Sequence, residues 1–101
     1  MRESTTITDT DRVNSVVYFT APWCRPCQML GPAMEDIATS YENLNFIKVN
    51  VDDAPQLVSE FRVQSVPTVM LLINGEVRHS FHGIRPKQEY EKVFGLYNGV
   101  E

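Results

Sequence analysis

Val16-Val17-Tyr18-Phe19-Thr20-Ala21-Pro22-Trp23-Cys24-Arg25-Pro26-Cys27 is the stretch that decides the architecture of this chain. Its first five residues are β-branched or aromatic and apolar toward both faces, which predicts a central strand buried on both sides. The residues after Pro22 open a helix that carries thiols at i and i+3. That spacing puts both sulfurs on one helical face, close enough to bond to each other. The first faces the positive end of the helix, which favours its thiolate. The second lies deeper and can attack the first once that one is bonded to a substrate sulfur. These are the only two cysteines of the chain, and its only tryptophan, Trp23, stands directly before them.

Working outward, Leu30, Ala33, Met34, Ile37 and Tyr41 recur at helical spacing, so a helix is predicted from about Trp23 to Tyr41, kinked at Pro32. Upstream, Thr5–Thr8 reads as a short edge strand, and Asp9–Ser15 has room for a turn or two of helix. Downstream, Asn45–Val51 reads as a second core strand. Asp53 is placed to cap a short helix that ends at Phe61, with Leu57, Val58 and Phe61 facing inward. Pro67 opens the apolar run Thr68–Ile73, Asn74-Gly75 is a hairpin signal, and Glu76–Phe81 returns as a strand. Pro86 starts a last helix with Tyr90, Val93, Phe94 and Tyr97 on one face. The early crossovers imply parallel strands and the hairpin an antiparallel pair. The expected fold is therefore α/β, a mixed central sheet of four to five strands flanked by helices on both faces.

With 101 residues there is room for one domain, and 43% hydrophobic residues suits a globular core. A net charge of −4 with both signs scattered argues against a nucleic-acid partner. Met1–Arg12 is polar and without an apolar run, so neither a secretory signal nor a membrane segment is expected. The expected compartment is the cytosol, where structural disulfides are rare and a lone Cys-x-x-Cys is redox or metal chemistry.

Taken together, these residues resemble the thioredoxin family over about residues 5–97. Ala21-Pro22-Trp23-Cys24-Arg25-Pro26-Cys27 follows a buried strand, and Pro32 lies where the family kinks its helix. Ser65-Val66-Pro67-Thr68 looks like its cis-proline loop. Asn74-Gly75 and Gly83 fall at its hairpin and final glycine. The resemblance implies a thioredoxin-like fold in a single domain, 1–101, with the first strand and helix shortened. It implies a thiol-disulfide oxidoreductase in which Cys24 is the nucleophile and Cys27 resolves the mixed disulfide. Pro67 would be cis and lie against the pair, with the Val66 backbone pairing with an extended substrate. Trp23, Val66, Pro67 and Gly83 would form the docking surface, and Pro26 would stiffen the loop. No cofactor would be bound. Electrons would come from NADPH through a flavoprotein reductase, the substrates would be protein disulfides, and the protein would act as a monomer.

Three positions depart from the family pattern. Arg25 stands where the commonest motif has glycine. A unit charge about 6 Å from the Cys24 sulfur contributes about 0.7 kcal/mol in water, enough to favour the thiolate about threefold. Arg25 is thus expected to make the couple somewhat more oxidising. Tyr18 replaces the family's buried aspartate, while Lys48, which matches that aspartate's lysine neighbour, is present. A phenol is a poor base at neutral pH, so slow resolution by Cys27 is expected. His82, before Gly83, replaces an apolar residue and is a candidate to stabilise the thiolate or select polar substrates.

Other readings compete with this one. A purely structural disulfide closing so short a loop contributes at most about 2 kcal/mol. Cys24, Cys27, His79 and His82 could supply zinc ligands, but the histidine spacing is short, and residues three apart on a strand face opposite ways. The same fold could also serve as a binding subunit whose redox activity is secondary.

Overall fold

In the computed structural model, which describes residues 1–98, strand β2 (Asn14–Thr20) forms at the apolar run, with every residue after Asn14 buried. The other strands are β1 (Arg2–Glu3), β3 (Asn45–Asn50), β4 (Thr68–Ile73) and β5 (Glu76–His82). They form one mixed sheet in the order β1-β3-β2-β4-β5. β2 pairs parallel with β3, from Ser15 opposite Asn45 to Thr20 opposite Asn50, and antiparallel with β4, from Asn14 opposite Ile73 to Phe19 opposite Thr68. A 3-10 turn at Asp11–Val13 leads into β2.

Helices cover both faces. α1 (Arg25–Ala38) and α3 (Lys87–Tyr97) pack Leu30, Met34, Ile37, Tyr90 and Phe94 against Val16, Tyr18, Phe46, Val69 and Leu71. α2 (Pro55–Glu60) lies on the opposite face, where Leu57 meets Val17, Phe19, Ile47, Val49 and Leu72. Alternate residues of β2 thus feed two cores, as the period of two along a strand requires.

Several boundaries differ from the sequence reading. The edge strand is Arg2–Glu3, not Thr5–Thr8. There the Ser4 hydroxyl donates to the Thr6 carbonyl and accepts from the Thr6 amide, and the Thr8 amide turns to Asp11. Such local side-chain bonds compete with a strand ladder. The long helix begins at Arg25 and ends at Ala38, with Pro32 inside it, leaving Trp23 and Tyr41 outside it. Asp53 is not a cap: α2 starts after Ala54 with Pro55 at its first position, where a missing amide costs nothing. The last helix starts one residue later than expected, with Pro86 in the capping position.

Two tight turns bring the remaining chain to the C-terminal end of β2. Asn74 and Gly75 both have positive φ, at 53° and 82°, as a two-residue hairpin turn demands. After α2 the Val63 amide bonds to the Val58 carbonyl at 3.0 Å and the Arg62 amide to the Ser59 carbonyl at 3.3 Å. This terminating pattern places Arg62 in the left-handed region, at φ 53°. A left-handed residue with a Cβ costs about 1–2 kcal/mol, and the greater chain entropy of glycine offsets part of that. Arg62→Gly is therefore expected to raise stability by about 0.5–1 kcal/mol, read as a higher urea midpoint with an unchanged slope.

Candidate active site

Where β2 ends, the chain turns through Ala21–Trp23 and Cys24 caps α1. Cys24 and Cys27 are disulfide-bonded, with Cα atoms 5.3 Å apart. Cys24 Sγ accepts the Cys27 amide at 3.2 Å, so the helix start points an N–H at this sulfur. Pro26, at the second helical position, removes an amide that would have no partner within the helix, and its ring holds the local φ. The sulfurs sit among Ala21, Val51 and Val66, with Cys24 5% and Cys27 2% exposed.

The loop before β4 forms the other wall. The Val66–Pro67 bond is cis, and Cys24 Sγ lies 3.7 Å from the Val66 carbonyl oxygen. In the disulfide this is a contact, since the sulfur has no proton to donate. In the dithiol the Cys24 thiol can donate to that oxygen. Gly83, at φ 78°, brings its amide to the Pro67 carbonyl at 2.9 Å and ties the end of β5 to the same loop. Beside this wall, Trp23, Val51, Val58, Val63 and Val66 line a shallow apolar hollow of about 190 Å³. Trp23 is 68% exposed, a surface residue despite its size.

The indole is nonetheless anchored. Trp23 Nε1 donates to the Asp52 carboxylate at 3.0 and 3.2 Å. Asp52 is not among the site residues that the sequence singles out. Its bond to a side chain 29 positions away leaves no local signal, and only an acid beside a strand end on the same side hints at it.

The candidate tuning residues are placed as follows. Arg25 is exposed on the first turn of α1. Tyr18 is fully buried, and its hydroxyl donates to the Cys27 carbonyl at 2.8 Å. Burial pushes the phenol pKa up, which makes Tyr18 a still poorer base. Lys48 sits opposite Tyr18 in the β2–β3 register and pairs with Glu3 at 3.5 Å. His82 is exposed opposite Thr68, at the β5 end nearest the Pro67 loop. His79 instead stacks on Phe81, ring centroids 5.5 Å apart. Among the described residues, no three His, Cys, Asp or Glu side chains are grouped to hold a metal. Removing the anchor in Asp52→Ala is expected to free the indole and lower the fluorescence anisotropy of the sole tryptophan, without change in far-ultraviolet circular dichroism.

Comparison with known proteins places this geometry in a family. The thioredoxin family model matches residues 4–94. The chain is 37% identical over 83 residues to a thioredoxin of Porphyra purpurea, covering 81% of this chain and 78% of that protein. It is 38% identical over 78 residues to a thioredoxin of Mycoplasmoides gallisepticum, covering 77% and 78%. It spans 48% of the length of the rice chloroplastic thioredoxin M5, at 36% identity. A crystal structure of a Nicotiana alata thioredoxin superposes with a TM-score of 0.87 at 27% identity, over 96% of this chain and 91% of that one. A Halobacterium salinarum thioredoxin variant superposes at 0.86 with 28% identity, over 99% and 92%. With the family model over most of its length and a Cys-x-x-Cys pair at bonding distance, the chain belongs to the thioredoxin family and is a thiol-disulfide oxidoreductase of the protein-disulfide reductase type.

Proposed function

We propose that Cys24 opens the substrate disulfide and Cys27 releases the product. The observation that carries this order is the capping of α1 by Cys24 Sγ, which receives the Cys27 amide at 3.2 Å. A helix N-terminus stabilises a thiolate, and the thiolate is the nucleophile. In the first step Cys24 attacks one substrate sulfur, the substrate S–S bond breaks, and its other sulfur leaves as a thiolate. In the second, Cys27 attacks Cys24 Sγ, the mixed disulfide breaks, and the second substrate thiolate leaves. The substrate gains two electrons and the pair becomes a disulfide.

An extended substrate segment lies across the Val66–Pro67 wall, with Trp23, Gly83 and the exposed His82 around it. The hollow beside Trp23 takes an apolar side chain of that segment. The natural substrates are proteins, because an open, shallow surface of this kind suits a chain segment better than a small molecule. The cycle is carried by the two sulfurs, with no bound cofactor, and is completed by a flavoprotein reductase fed by NADPH. It works in a reducing compartment such as the cytosol, where a donor keeps the pair as a dithiol. One domain acting as a monomer is sufficient. Pro26 holds the loop rigid, and Tyr18, Lys48 and Arg25 set the balance between dithiol and disulfide.

The order of attack is tested by Cys27→Ser. It is expected to accumulate a mixed disulfide with a protein substrate, visible as an added mass that a reductant removes, whereas Cys24→Ser forms none. Release of reduced substrate by Cys27→Ser at the normal rate would sink the assignment. Arg25→Gly removes a cation close to the attacking sulfur. It is expected to lower the thiolate fraction of Cys24 near neutral pH about threefold, read from thiolate ultraviolet absorbance in a Cys27→Ser background.

A further inference from the structure

On the face away from the substrate wall, Cys27 opens into a cleft of about 500 Å³ between α1 and the sheet. To act as a nucleophile, Cys27 must lose its proton. The groups packed on the sulfurs are apolar, and the Tyr18 hydroxyl is already donating to the Cys27 carbonyl. The proton therefore leaves through the cleft. The ionisable side chains along it are Glu3 on β1, Tyr18 on β2, Lys48 on β3 and Glu35 on α1.

Three of these stand in one row. Tyr18 is opposite Lys48, and Lys48 is opposite Glu3, across parallel strands, so their side chains leave the same face of the sheet about 4.8 Å apart per strand. Lys48 Nζ holds the Glu3 carboxylate at 3.5 Å. Both side chains also line a second hollow, of about 410 Å³, that runs on past Asp53. The pair thus stands between the cleft of Cys27 and open solvent. Glu35 is placed differently. It lies eight residues along α1 from Cys27, about 12 Å of helix, and is engaged by the Met1 amine at 3.0 Å.

We propose that Glu3, held by Lys48 at the mouth of this cleft, receives the proton that Cys27 loses as it attacks the mixed disulfide. Water entering this open cleft, whose lining includes Thr20, Gln28, Lys48 and Asn50, carries the proton from Cys27 Sγ to the carboxylate. The Cys27 thiolate then bonds to Cys24 Sγ, the Cys24–substrate bond breaks, and the substrate sulfur leaves with the electron pair. Glu3 passes its proton on to solvent through the second hollow. Lys48 is the positioning residue. This inference rests on Cys27 being the resolving thiol.

The test is stopped-flow mixing of the reduced protein with a chromogenic aryl disulfide. The first aryl thiolate released reports attack by Cys24 and the second reports attack by Cys27. Glu3→Gln is expected to slow the second phase about three- to tenfold at neutral pH, less than loss of a directly placed base. The first phase is expected to be unchanged. The difference should shrink as the pH is raised and hydroxide takes the Cys27 proton directly. Glu3→Asp should recover most of the rate, and Glu35→Gln should alter neither phase. An unchanged second phase in Glu3→Gln would overturn the proposal. So would a slowing that persists at alkaline pH, or equal slowing by Glu35→Gln. Absence of a second phase in the unsubstituted protein would instead overturn the resolving role of Cys27 itself.

Discussion

Strand β2 is hydrogen-bonded along both edges and covered on both faces, and the redox pair begins where it ends. That constraint carries the rest of the site. With β3 and β4 on its flanks and the α1–α3 core and the α2 core against its faces, the end of β2 has no freedom to shift. Ala21–Trp23 can then deliver Cys24 to the start of α1 at one position relative to the Pro67 loop. That loop is placed by the same strand, since Thr68 is registered opposite Phe19. The two walls around Cys24 are therefore set by neighbouring strands of one rigid sheet and not by flexible loops.

Polar chemistry is added to this frame sparingly and on opposite sides. Toward the substrate, the helix-start amide, the Val66 carbonyl and the Asp52-anchored indole surround Cys24 with oriented groups on a mostly apolar surface. Behind the pair, Tyr18 fills the core and ties itself to the Cys27 carbonyl, so the space under the resolving sulfur holds a neutral hydroxyl in place of a charge. A buried unpaired carboxylate is costly, and a hydrogen-bonded phenol avoids that cost. The charges that remain, Lys48 and Glu3, sit farther out at the cleft mouth, where solvent lowers the cost of keeping them ionised. Stability of the strand and acid–base service to Cys27 are thereby assigned to different residues.

Much of this was legible from local pattern. The two-faced apolar run, the Cys pair after it, the Asn74-Gly75 hairpin and the amphipathic helices all follow from periodicity and turn chemistry acting over a few residues. Errors arose where local signals were weak or in competition. Thr5–Thr8 has strand-like composition, but its hydroxyl and amide groups find nearer partners, and the edge pairing moved to Arg2–Glu3. Asp53 looked like a cap because an acid before Pro55 fits that role, yet the helix begins one residue on, after Ala54. Arg62 in a left-handed turn could not be anticipated, since nothing but the chain path after α2 requires it.

The class of reaction was legible in the residues around the Cys pair and in the motifs that follow it. Two thiols at i and i+3, after a buried strand and at a helix start, point to redox or metal chemistry, and the resemblance carried by Val66-Pro67-Thr68, Asn74-Gly75 and Gly83 narrows that to disulfide exchange. What surrounds those thiols emerges with the folded sheet. The Trp23–Asp52 anchor spans 29 positions and the Glu3–Lys48 pair joins two strands far apart in the chain. The Cys24–Val66 contact spans 42. Contacts of this kind depend on strand order and register, which arise when the whole sheet closes and leave no trace in the spacing of neighbouring residues.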